Sequence, residues 1–327
     1  MCIRDSFTTL LCRNSPCRAT PGCPRPCRPG HRLRSVSKGE SLARRLLAPF
    51  AGLLLFLQAA LVVTGGAVRL TGSGLGCPTW PECTPGSYTP VPDQIQGQLH
   101  AWIEFGNRLL TFALFFVAIA TIVSVYRSHR RDLRFLAVTQ LVGILAQGVL
   151  GGITVLTKLN PLAVAAHFIL SIFLIAAATS LHSRRKKPFV RTSSPHVGIS
   201  RFSTLHLFLS FIVIAIGTLV TGSGPHAGDL QAPRLHLNIQ HIAYLHGGLV
   251  AVLLLVTIAF YLHHDHRYET KRWLALFLIL ALAQGLIGYI QYIKGVPELL
   301  VGTHLLGSSL VWIAAWRVRL SVVRKPA

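Results

Sequence analysis

The stretch LLAPFAGLLLFLQAALVVTGGAV, residues 46–68, carries no charged side chain and is apolar around its whole circumference if helical. A helix rises 1.5 Å per residue, so about 20 apolar residues cross a hydrocarbon layer roughly 30 Å thick. Working outward, seven further runs of the same character follow, at approximately 99–125, 135–156, 162–182, 202–222, 238–262, 273–293 and 298–317. Composition agrees: 51% of the 327 residues are hydrophobic and 13% charged, where a soluble domain has about a quarter charged. The sequence predicts an all-α polytopic membrane protein with eight transmembrane helices in a lipid bilayer, and excludes a soluble globular enzyme.

The formal net charge of +22 would suit nucleic acid if it formed one basic face. It does not. Ten Lys and Arg lie in residues 1–45, four in 126–134, six in 183–201, three in 263–272 and four in 317–327, at every second junction between runs. The remaining five, Arg69, Arg108, Lys158, Arg234 and Lys294, lie in or near the opposite loops. This asymmetry follows the rule that positive loops stay in the cytoplasm. It predicts cytoplasmic termini, an extracytoplasmic GSGLGCPTWPEC segment at residues 72–83, and no nucleic-acid partner.

Residues 1–45 form a basic N-terminal segment. Its first 35 residues, rich in Arg, Pro and Cys, have no usable periodicity. The opening MCIRDS resembles translated adapter sequence, and no Met follows residue 1. A start near Val36 is therefore expected, and the Cys23–Cys27 spacing is set aside as non-native rather than read as a metal site.

The apolar runs repeat. Thr71-Gly72-Ser73-Gly74 closes the first and Thr221-Gly222-Ser223-Gly224 the fifth. AQGVLGG begins at Ala146 in the third run and AQGLIGY at Ala283 in the seventh. Gln147 precedes His167 by 20 residues, and Gln284 precedes His304 by the same 20. Four helices make a unit, and an even number preserves orientation across the membrane. The expectation is two parallel-repeat four-helix bundles: 46–182 and 202–317, joined by a cytoplasmic linker, 183–201, and followed by a basic tail, 318–327. The small residues permit close helix approach, and bundle cores hold cofactors between facing helices.

Ionisable residues inside hydrocarbon are costly, so each is a functional candidate. His167, His246 and His304 fall in the fourth, sixth and eighth runs at matched depth, roughly 8 to 12 Å in from the outer ends at 1.5 Å per residue. Imidazoles on facing helices are a standard grip on haem iron, which points to a haem between His246 and His304. His241, five residues before His246, points away from it and reads as peripheral. The first unit is less symmetrical. Its second run carries EFGNR, with Glu104, Asn107 and Arg108 on one helical face. His167 beside a carboxylate has the character of a reaction chamber rather than an electron wire. A Glu104–Arg108 pair that merely joins helices is the bland alternative, and Arg108 is equally suited to a haem propionate.

Here the residues match a family. GGAVRLTGSGLGCPTWPEC, EFGNR, AAHF, VTGSGPHAGD, LHGGL and VGTHLLG together resemble haem A synthase, nearest the actinobacterial type, over about residues 45–318. The resemblance implies two four-helix bundles and oxidation of the C8 methyl of haem O to a formyl group. It implies haem b as cofactor on His246 and His304, His167 as a ligand of the substrate haem O, and Glu104 as the catalytic acid. The family's usual Glu-x-x-His-Arg has Asn107 here in place of histidine. A haem O synthase and a haem A-containing terminal oxidase are the implied partners, and the electron acceptor is not named. The implied setting is a bacterial plasma membrane.

The cysteines Cys77 and Cys83 are expected to lie on the oxidising side, where a disulfide is chemically permitted. So short a closed loop gains little chain entropy, and the second unit has GPHAGD instead. The resemblance suggests a redox-sensitive pair, with a purely structural bridge as the alternative. Two other functions compete with the synthase: a di-haem electron carrier of the cytochrome b type, and a transporter. The carrier needs two bis-histidine sites, which Asn107 denies. The transporter predicts binding residues near the bilayer middle.

Overall fold

The predicted runs become helices because long apolar segments satisfy every backbone group internally. The computed structural model describes residues 38–186, 197–263 and 268–323. Residues 1–37, with Cys23, Cys27 and Val36, lie outside them, as do the middle of the 183–201 linker and residues 324–327. Eight helices follow in order: α1 (Lys38–Leu70), α2 (Gln98–Arg127), α3 (Arg131–Leu156), α4 (Pro161–Arg184), α5 (Val197–Ser223), α6 (Ile239–His263), α7 (Tyr268–Lys294) and α8 (Glu298–Val323). All eight are long and apolar enough to span a membrane, and no strand forms among the described residues.

The ends that differ most from the expected spans are those of α1 and α8 on the side of the chain termini. There the helix continues past the apolar run, because charged residues support it locally. Arg44 pairs with Glu40 one turn earlier at 2.6 Å, and the Arg317 guanidinium lies 4.4 Å from the centre of the Trp273 ring. At the opposite end, Asn160 caps α4 by accepting from the Leu162 amide at 3.0 Å, with Pro161 in the first helical position.

Helices α1 to α4 pack as a closed ring, α1 touching both α2 and α4, and α5 to α8 close in the same way. One core layer of the first ring joins Leu47, Ala51, Val125, Leu133, Ala137 and Leu181. In the second ring Leu253, Phe277, Ala281, Ala314 and Ala315 do the same. Large side chains such as Phe56, Phe112, Phe116 and Leu255 are exposed, as lipid-facing positions require. The seam between the rings uses α1 and α4 against α8, and α4 against α5. There the Trp312 indole donates to the Ile172 carbonyl at 2.7 Å, and the Trp316 indole donates to the Ser180 hydroxyl at 2.7 Å.

Interhelical hydrogen bonds in membranes are worth about 0.6 kcal/mol on average and about 1.7 at most. Trp312→Phe removes one and leaves a small void, so it is expected to destabilise the protein by about 1–2 kcal/mol. Thermal unfolding in detergent checks this; an unchanged midpoint would remove the seam bond from the account.

Candidate active site

The loop between α1 and α2, residues 71–97, lies over one end of the first ring; that end is here termed the Cys-loop end. Each helix is long enough to cross the membrane and packs beside the one before it, so consecutive helices run antiparallel and α4, α6 and α8 all start there. His167, His246 and His304 accordingly sit six or seven residues into their helices, about 10 Å from that end at 1.5 Å per residue.

Cys77 and Cys83 form a disulfide, and both residues are 0% exposed. The loop they close is fastened to α2 by its backbone. The Cys77 amide donates to Glu104 Oε2 at 2.7 Å. Arg108 Nη2 meets Glu104 Oε1 at 2.7 Å, and the same guanidinium donates to the carbonyls of Cys77, Thr79, Pro81 and Glu82 at 3.1 to 3.4 Å. A guanidinium has five N–H donors, and this set occupies them. Of the two partners open to Arg108 in the sequence, Glu104 is bonded to it here.

Glu104 is 6% exposed, and each of its carboxylate oxygens receives a donor, so the group is held in one orientation. The loop also reaches α3: the Trp80 indole lies over Gly152, where any side chain would collide with it. Gln94, itself buried, ties the far side of the loop by donating to the Gly76 carbonyl at 2.6 Å. The segment 72–83 is thus a lid, bonded to α2 and resting on α3.

The histidines share a local geometry. A Cβ added at Gly151 of α3 would stand 3.3 Å from Cε1 of His167. At Gly217 of α5 it would stand 3.2 Å from Cε1 of His246, and at Gly288 of α7 3.5 Å from Cε1 of His304. Each imidazole therefore lies directly against a glycine of the neighbouring helix, most tightly at Gly217 and Gly151. Nδ1 of all three is buried without a hydrogen-bond partner. Each imidazole thus keeps an unpartnered ring nitrogen. His246 and His304 are also electrostatic neighbours.

One turn beyond two of these histidines the paired glutamines occupy matching places. Gln147 donates to the His167 carbonyl at 3.0 Å and to Ser171 Oγ at 2.7 Å. Gln284 packs on Gly307, three residues after His304, where an added Cβ would displace its amide.

Asn107 is drawn to α1, its amide oxygen accepting from the Thr64 hydroxyl at 2.7 Å. It is therefore not turned toward the Glu104–Arg108 pair. His241 lies exposed in the first turn of α6. No group of three or more His, Cys, Asp or Glu side chains converges among the described residues, so the histidines do not build a closed ion site of the zinc type. A pair of imidazoles with unpartnered ring nitrogens, each lying against a glycine, fits the axial ligation of a haem.

The cradle glycines carry no signal of their own in the sequence, although Gly151 and Gly288 lie inside the repeated AQG motifs that point to close packing, and Arg69 and Arg234 stand out there only as two of the few basic residues of the lid side.

These features define an integral-membrane protein with a lidded carboxylate in one half and glycine-seated histidines in both. The chain belongs to the COX15-CtaA family of cytochrome oxidase assembly proteins, whose profile matches residues 48–228. It is similar to a heme A synthase of Geobacillus kaustophilus (strain HTA426), 29% identical over 258 residues that cover 73% of this chain and 80% of the relative. It is 34% identical over 101 residues to a heme A synthase of Geobacillus thermodenitrificans, which is 30% of each chain. A heme A synthase of Listeria monocytogenes (strain EGD-e) is 28% identical over 141 residues, 42% of this chain and 45% of that one.

Proposed function

We propose that this chain is a haem A synthase, a membrane oxidoreductase that converts the C8 methyl of haem O to the formyl of haem A. The observation that carries the reading is Glu104, a buried carboxylate fixed by two donors beneath the lid, in the same ring as a histidine whose buried Nδ1 has no hydrogen-bond partner. The names of the relatives agree with it.

The carbon balance is simple. A methyl group and one water give the alcohol with loss of two electrons and two protons; a second round gives the hydrated aldehyde, which loses water to leave the formyl. His167 binds the substrate iron and so fixes where the methyl group lies. As electrons leave, positive charge develops on the methyl carbon, and the Glu104 carboxylate stabilises it. The same group orients the incoming water or accepts its proton. Arg108 does not touch substrate; it holds Glu104 and the lid together. The lid excludes bulk water, which strengthens each of these interactions.

His246 and His304 are the residues that would hold a haem b, which would supply one-electron transfer away from the substrate. The two rings are read as parallel repeats, with boundaries at 46–182 and 202–317. The repeat fails at Asn107, so the first ring offers a single imidazole at that depth. A di-haem carrier is the weaker reading for that reason. The Cys77–Cys83 bridge is assigned to holding the lid; a redox part requires the lid to lift first, because both cysteines are buried. The lid faces the outside of a bacterial plasma membrane and both termini face the cytoplasm, with haem O supplied by a haem O synthase.

Replacing Gly217 by leucine drives a side chain into the His246 ring, which already stands at contact with an added Cβ. The purified variant is expected to retain less than half the haem of the parent, with the bis-imidazole spectrum weakened. Undiminished haem and spectrum would show that His246 does not depend on this seat.

A further inference from the structure

Five basic residues lie in or near the loops of the lid side, against the general charge asymmetry. Arg108 is saturated by Glu104 and the lid carbonyls. Arg69 and Arg234 have no such account. Arg69, at the end of α1, donates through Nε to the His226 carbonyl and through Nη2 to the Thr221 carbonyl, the latter at 2.9 Å. Arg234, in the loop before α6, donates through Nη1 to the Gly224 carbonyl at 2.8 Å. Neither is paired with a carboxylate among the described residues, and the two guanidiniums are close enough to repel each other. Both side chains are half-buried. Two like charges gathered at the border of a hydrocarbon layer cost free energy unless an anion offsets them.

Their position says which anion. The end of α1 leans on the turn of α8 that carries His304. The Leu70 side chain lies 3.6 Å from where a Gly302 Cβ would stand, and Gly66 leaves room for the Leu305 side chain. His226, whose carbonyl Arg69 holds, fixes the α7–α8 loop by its own contact with the Val296 carbonyl at 2.8 Å. Arg69 is thus a residue of the first ring built into the roof of the second. That roof lies about 10 Å beyond the His246–His304 layer, a distance that the propionate arms of a porphyrin span. The hydrogen bonds present leave Nη1 of Arg69 and Nε and Nη2 of Arg234 with donors to give.

We propose that Arg69 and Arg234 form a carboxylate-binding roof that takes the propionates of the haem held by His246 and His304. Charge-assisted hydrogen bonds to carboxylate are the strong kind, and a guanidinium suits a carboxylate in two-point contact. The site orients the porphyrin with its propionates toward the lid side. It also makes binding in the second ring depend on a residue of the first.

The proposal rests on the histidine pair, and the test separates the two. The full-length protein, prepared without haem, is titrated with iron protoporphyrin IX and with its dimethyl ester, following the bis-imidazole spectrum, which the single imidazole of the first ring cannot give. The parent is expected to bind the free acid at least about tenfold more tightly than the ester, from one or two charge-assisted bonds. Arg69→Gln and Arg234→Gln should each reduce that preference, their combination should abolish it, and Arg69→Lys should keep part of it. All should retain the bis-imidazole spectrum. A parent that forms this spectrum equally well with acid and ester, or a double variant that still prefers the acid, would overturn the roof. Loss of bound anionic lipid with the preference intact would assign the pair to a lipid phosphate and overturn it too. No bis-imidazole spectrum in the parent would overturn the histidine site, and the roof with it.

Discussion

Membranes carrying Glu104→Ala, with haem O supplied, are expected to form haem A at least about 10²-fold more slowly than the parent, the scale on which one preorganised electrostatic group acts. The carboxylate is buried and held between the Cys77 amide and Arg108, so no other acid on the first ring can take its place. Alanine also leaves Arg108 without its counter-charge, so a fold control is needed. Glu104→Gln supplies it: the amide keeps an oxygen for a donor while removing the charge. If charge stabilisation is the role, glutamine is nearly as inactive as alanine. Lid integrity is read from the rate at which a reductant and a thiol reagent reach Cys77 and Cys83, which burial keeps slow. Normal haem A formation in Glu104→Gln with an intact lid would remove the carboxylate's charge from the mechanism.

His304→Ala and His246→Ala are each expected to abolish the bis-imidazole spectrum of the purified protein, because one remaining imidazole cannot hold iron from both sides. His241→Ala, an exposed first-turn residue of α6, should leave that spectrum unchanged. The comparison uses three histidines near the same end of the molecule, two of them on one helix. A spectrum that survived His246→Ala but not His241→Ala would move the ligand by about a turn of α6 and break the match with Gly217.

Much of this was legible in the chain itself. Span positions followed from apolar length, because in lipid a helix must be long and uncharged and little else matters. His167, His246 and His304 stood out because ionisable groups are rare in such segments. The Glu104–Arg108 pair followed from their i, i+4 spacing. What the sequence did not yield are contacts between residues far apart in the chain. The Cys77 amide meets Glu104 across 27 positions, and Arg69 meets the His226 carbonyl across 157. No periodicity records either.

Asn107 is instructive in another way. Helical spacing placed it on the face of Glu104 and Arg108, yet the Thr64 hydroxyl of α1 draws its amide aside. The cradle glycines share the cause of these misses. Gly217 means nothing in α5 until His246 of α6 is laid against it.

The central claim is that this chain makes haem A. It is tested most directly by expressing the chain with a haem O synthase in cells that lack haem A, extracting the non-covalent haem from their membranes, and identifying it by chromatography and mass. The account predicts a haem with a formyl at C8, alongside residual haem O, that is absent when the chain is omitted or carries Glu104→Ala. Haem B and unaltered haem O alone, from membranes whose purified protein gives a bis-imidazole spectrum, would contradict it and leave an electron carrier.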